Sequence, residues 1–97
     1  MEGLNIAEIL SEDGRVRFRY ERYLSEDGTR WTRHGRFEVY HANGALASEG
    51  TFVHGVEQGE WRDYHPNGQL AATGVYEQGE EVGDWQFFDQ NGAVSGE

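Results

Sequence analysis

The chain has 97 residues, 36% of them hydrophobic, and a formal net charge of −10. Such a length supports one domain that buries only about 60 to 65% of its unfolded surface, so a thin core is expected. Cysteine is absent, which excludes a disulfide or a thiolate metal site, and no apolar run is long enough to span a bilayer as a helix.

Met1 to Leu10 lacks the basic start and long apolar run of a secretion signal, so a cytoplasmic location is expected. Leu4 to Leu10 reads as either an edge strand or a short helix that caps the rest of the chain. Asp13-Gly14 is a turn signal. After it, Arg15, Arg17 and Arg19 alternate with Val16, Phe18 and Tyr20, the period-two pattern of a half-buried strand. The phase slips at Glu21, because Arg22 and Tyr23 have swapped parity, and a bulge is expected there. Asp27-Gly28 makes the next turn, with Trp31 on the return strand.

From Gly35 onward the chain repeats every 24 residues. Gly35, Gly59 and Gly83 align, followed by Phe37, Trp61 and Trp85, then by Tyr40, Tyr64 and Phe88, then by Asn43-Gly44, Asn67-Gly68 and Asn91-Gly92. Gly50 with Gly74 and Phe52 with Tyr76 continue the register. Two aromatic-rich runs about an Asn-Gly turn describe a β-hairpin. Glycine recurring every few residues, at about 1 kcal/mol each in a helix interior, argues against helix. The fold expected is therefore all-β: a single-layer antiparallel meander of stacked hairpins joined through Gly55 to Gly59 and Gly79 to Gly83. An irregular, arginine-rich cap over residues 1–34 precedes a repeat region over 35–97. The two ring columns differ by three positions, which in a regular strand puts them on opposite faces.

The run from Gly59-Glu60-Trp61 through Asn67-Gly68-Gln69-Leu70 to Gly74-Val75-Tyr76 resembles a MORN-repeat variant, similar to the bacterial YwqK-family antitoxins. The resemblance covers about residues 35–94. It implies a scaffold, a membrane-associated module or an antitoxin, and such repeats at membranes are typically richer in basic residues than this chain.

All eight basic residues are arginine and they are unevenly placed. Residues 15–36 hold seven arginines against three carboxylates, whereas residues 37–97 hold only Arg62 against eleven. The resulting field steers the chain toward positively charged partners; nucleic acid and membrane are not the partners expected. No nucleophile motif, phosphate loop or HExxH is present. His41 and His65 share a repeat column about 10 Å apart, too far for one ion, and His34 and His54 form no ligand spacing. Neither catalysis, a cofactor nor a metal site is expected.

Three sets of residues are candidates for binding. Glu57, Glu60, Glu80, Glu81 and Asp84 form an acidic rim that fits a basic protein surface. Rim and rings together suit a small inhibitor of a toxin, nuclease or phage-defence effector such as a CRISPR nuclease, acting by mimicry of a nucleic-acid backbone. Trp61, Tyr64, Trp85 and Phe88 supply rings for the core and for whatever covers the second face, a partner protein or a second copy in a homodimer. Arg15, Arg17, Arg19, Arg22, Arg30 and Arg33, interleaved with Tyr20, Tyr23 and Trp31, carry the alternative of single-stranded RNA or a dimer contact.

Overall fold

The computed structural model describes residues 4–95. Eight strands, β1 Asn5–Leu10, β2 Val16–Leu24, β3 Trp31–Tyr40, β4 Leu46–Val53, β5 Val56–Tyr64, β6 Leu70–Glu77, β7 Glu80–Phe88 and β8 Val94–Ser95, pair in sequence order as one open antiparallel sheet. Leu4 to Leu10 thus supplies the edge strand β1, paired through Ala7 and Tyr20. No helix in the described residues is long and apolar enough to cross a membrane. β3 runs through residues 34 and 35, so the arginine-rich segment and the first repeat share a strand.

The strand ends form two rims. On one, the loops at 11–15, 41–45, 65–69 and 89–93 are built alike: Gly44 donates its N–H to the His41 carbonyl and His41 donates to Ala45, as Gly68 and His65 do in the next unit. This is a type I turn closed by a left-handed glycine, with Pro66 presetting the first turn position. On the other rim, β4 to β5 and β6 to β7 turn through only two residues, His54-Gly55 and Gln78-Gly79, all four with positive φ. Two-residue turns of this handedness match the twist of the flanking strands. The connections are therefore shorter than the glycine spacing implied. Gly59 and Gly83 lie inside β5 and β7, where the register shifts against Glu49/Thr51 and Thr73/Val75. The slip expected at Glu21 is present, between Tyr20 and Arg22.

Each bulge lets a ring lie flat on its neighbour strand. A Cβ added at Gly50 would enter the Trp61 ring, and one at Gly74 the Trp85 ring. Phe37, Phe52, Trp61, Tyr76 and Trp85 form a continuous series with centroid separations of 5.0 to 5.7 Å between successive rings. Offset and edge contacts of this kind contribute about 0.5–1.5 kcal/mol per pair beyond the buried area. The core is as thin as the length requires: Ala7, Phe52, Trp61 and Ala72 are its buried apolar members among the described residues. The molecule measures 48 × 36 × 16 Å with a radius of gyration of 15.1 Å, against about 12.5 Å for a compact chain of this length. One layer, with both faces in solvent, accounts for the difference.

Candidate functional site

Strand alternation assigns the side chains to two faces. The ring face carries Phe18, Tyr20, Phe37, Phe52, Trp61, Tyr76 and Trp85. The opposite face carries a ladder of charge and hydroxyl: Arg36 donates to Glu38 at 2.8 Å and to Glu49 at 2.5 Å, Tyr40 donates to Glu38 at 2.9 Å, and Tyr64 to Glu49 at 2.5 Å. Tyr64's hydroxyl, then Arg36, holds the Glu49 carboxyl below the usual carboxylate range against the opposing cost of burial. The four rings proposed for binding are accordingly divided. Trp61 and Trp85 lie on the ring face, with Trp61 buried, while Tyr64 and Phe88 lie on the other.

The acidic residues are divided too. Glu57 and Glu81 pair across the sheet with Phe52 and Tyr76 on the ring face. Burial, then Glu81, Glu57 and Asp63, raises the Tyr76 hydroxyl above its ordinary value. Glu60 and Asp84 sit mid-strand on the ladder face, where Arg62 donates to Glu60 at 2.9 Å. Glu80 stands at the short-turn rim directly opposite Glu77, a residue that sequence reasoning passed over. Like charges directly opposite destabilise a sheet, and among the described residues neither has a cation within 4 Å. The preceding hairpin has Val53 opposite Val56 at the same two positions. Comparing the two units by their 24-residue offset was the signal that would have found Glu77, once the turn was known to be two residues long.

The arginines are mostly committed. Arg15 donates to the Ala42 carbonyl at 3.1 Å and Arg17 to the Tyr40 carbonyl at 3.0 Å, and Arg19 lies 3.7 Å from Glu8. Arg30 is exposed beside the Ser25 to Arg30 loop. Arg22 and Arg33 are different: they pair directly across β2 and β3 on the ring face. These six residues do not line up as one track, since Arg15, Arg17 and Arg19 occupy the face opposite Arg22 and Arg33.

The histidines serve the stacking of units. His41 Nε2 donates to the Tyr64 carbonyl at 2.7 Å and His65 Nε2 to the Phe88 carbonyl at 2.8 Å. Asn43 and Asn67 repeat the device, donating to the Pro66 and Gln90 carbonyls at 3.0 Å. Residues with no evident role beyond flanking a turn in the sequence therefore tie each hairpin to the next. His34 and His54, distant in sequence, meet with ring centroids 4.6 Å apart, the His54 N–H donating to His34 Nδ1 at 3.0 Å. Gln78 and Gln58 make the same tether in the next unit at 2.9 Å.

No curated protein and no solved structure matches the chain. Repeats with the geometry above point to a protein- or membrane-interaction module, and the family match stops at the repeat without reaching the antitoxin type. Residues 33–54 and 57–78 each match the family described as MORN repeat variant, so the two complete hairpins at the centre of this sheet are MORN-type repeats.

Proposed function

We propose that the chain is a non-catalytic interaction module whose C-terminal hairpins dock a basic surface of a protein partner. The supporting observation is the pair Glu77 opposite Glu80, held without a cation where the preceding hairpin uses Val53 opposite Val56. A sheet that keeps two carboxylates face to face at a rim gives up about 0.2–1 kcal/mol relative to a neutral pair. A cationic partner converts that repulsion into attraction. Glu81 and Asp84, exposed beside them, extend the same field, and complementary charge speeds encounter and selects the partner. The narrower form of this reading is a small inhibitor, antitoxin-like, that fills the basic cleft of a toxin, a nuclease or a phage-defence effector.

The test is a double substitution, Glu77→Val with Glu80→Val, which restores the apolar pair of the preceding unit. Tagged wild-type and variant chains are used to capture proteins from a cell extract at low and at about 0.5 M salt, where charge interactions are screened within a few ångströms. The reading expects a basic protein held by the wild type, released by salt and lost from the variant, while the variant unfolds at equal or higher urea concentration. A captured set unchanged by both salt and substitution, or retention on anionic vesicles in place of protein, contradicts it.

A further inference from the structure

The ring face near the short-turn rim carries a second like-charge pair, of opposite sign. Arg22 stands directly opposite Arg33. In the repeats the 24-residue equivalents of Arg33 are Glu57 and Glu81, each paired with an aromatic residue, Phe52 and Tyr76. The first hairpin has thus exchanged an aromatic–carboxylate pair for two guanidinium groups. In a chain where carboxylates outnumber arginines 18 to 8, neither of these two has a carboxylate within 4 Å among the described residues.

Rings hold them in place. The Arg22 guanidinium carbon lies 3.8 Å from the Trp31 ring centroid, and that of Arg33 lies 5.1, 5.4 and 5.6 Å from Tyr20, Phe37 and Phe52. Contacts over ring faces stabilise a cation without using its N–H donors. Arg22 gives one donor to Asn5 at 3.1 Å. The remaining guanidinium donors of the pair meet no protein acceptor among the described residues. Between them is a depression of about 440 Å³ lined by Tyr20, Arg22, Trp31, Thr32, Arg33 and Gly55, within the range of small-molecule sites. Trp31 is 47% exposed at its wall.

We propose that this depression binds a small phosphomonoester whose organic part carries a planar ring. Two adjacent guanidinium groups match the two charges of a phosphomonoester dianion and its three acceptor oxygens, where a single carboxylate would satisfy half of them. Trp31 and Tyr20 offer stacking surface to the ring. An extended polyanion does not fit: Arg15, Arg17 and Arg19 are on the other face, and the ring face continues into Glu57 and Glu81. The site lies at the opposite end of the sheet from the acidic pair and stands independently of the docking reading.

The probe is phenyl phosphate, titrated into the full chain with the Trp31 indole resonance as the readout, beside benzoate and a single-stranded octauridylate. Saturable binding of phenyl phosphate below about 10 mM, at least tenfold tighter than benzoate, is expected. Arg22→Gln or Arg33→Gln should weaken it at least tenfold and Arg33→Lys by less, with unfolding temperatures equal to or above wild type because a repulsion has been removed. Absence of saturation, equal binding of benzoate, unchanged affinity in both glutamine variants, or octauridylate binding that outcompetes phenyl phosphate overturns the proposal.

Discussion

The first hairpin, β2 with β3, and the repeats after it share one backbone plan and fill it differently. In the repeats a glycine faces each bulge, and Trp61 and Trp85 lie flat on Gly50 and Gly74. In the first hairpin Tyr20 takes the glycine's place opposite Phe37, whose ring tilts against it with centroids 5.7 Å apart. The bulge itself survives, with Gly35 at φ 111° and the Glu21 carboxylate accepting the Arg36 N–H at 2.7 Å. The contrast teaches that the bulge sets the strand path, while the residue opposite decides how deeply a ring can be buried. Where the ring lies flat the face closes over itself; where it tilts a depression opens, lined by Arg22 and Arg33.

The largest expected effect breaks the comparison at its tryptophans. Trp61 is 8% exposed and Trp31 is 47% exposed. Trp61→Ala should cost about 4 kcal/mol in urea unfolding, and Trp31→Ala about 1 kcal/mol, chiefly its contact with Arg22. Equal costs would mean that the rings of the repeats are no more a core than the exposed one.

A methyl group sharpens the same point. Gly74→Ala should destabilise by about 2–3 kcal/mol, because the added carbon meets the six-membered side of the Trp85 ring, which must move. In the first hairpin the converse should hold. Phe37→Trp alone overpacks against Tyr20, and Tyr20→Gly with Phe37→Trp should recover about 1 kcal/mol or more of that loss as a coupling in a double-mutant cycle. Additive costs would show that ring and glycine are not a matched pair.

The smallest difference concerns charge. Glu49 is held by Tyr64 and Arg36 with its carboxyl depressed below the ordinary 4.5. A depressed carboxyl stabilises the fold above its unfolded value and loses that stabilisation as pH falls through the folded one. Glu49→Gln should therefore cost about 1.5 kcal/mol at pH 7, and the gap to wild type should narrow steadily below about pH 4.5. Arg19 occupies the corresponding place in the first hairpin, its side chain 50% exposed and 3.7 Å from Glu8. Arg19→Gln should stay within about 0.5 kcal/mol at every pH. Chemical unfolding at about pH 7 and about pH 3, on either side of the carboxylate range, measures both.

Much of the fold is legible in the residues because repetition makes each column vote several times. The Asn-Gly turns, the ring columns on opposite faces and the slip at Glu21 all come from local chemistry. The spacing Gly55 to Gly59 misleads, since one glycine closes a two-residue turn and the other sits in a strand bulge, and both need positive φ. That ambiguity hides the cross-strand pairs. Glu77 opposite Glu80 and Arg22 opposite Arg33 depend on turn length and bulge size, which no single column reports. The bonds from His41 and His65 to carbonyls of the next unit are hidden for the same reason: they join residues 23 apart through register alone.

Hydrogen exchange on the chain bound to the basic protein it captures tests the docking account most directly. Slowed exchange over Val53 to Glu60 and Glu77 to Asp84, with residues 15–36 unchanged, is the expected result. Slowing confined to residues 15–36, with the carboxylate-bearing strands exchanging as in the free chain, would contradict it.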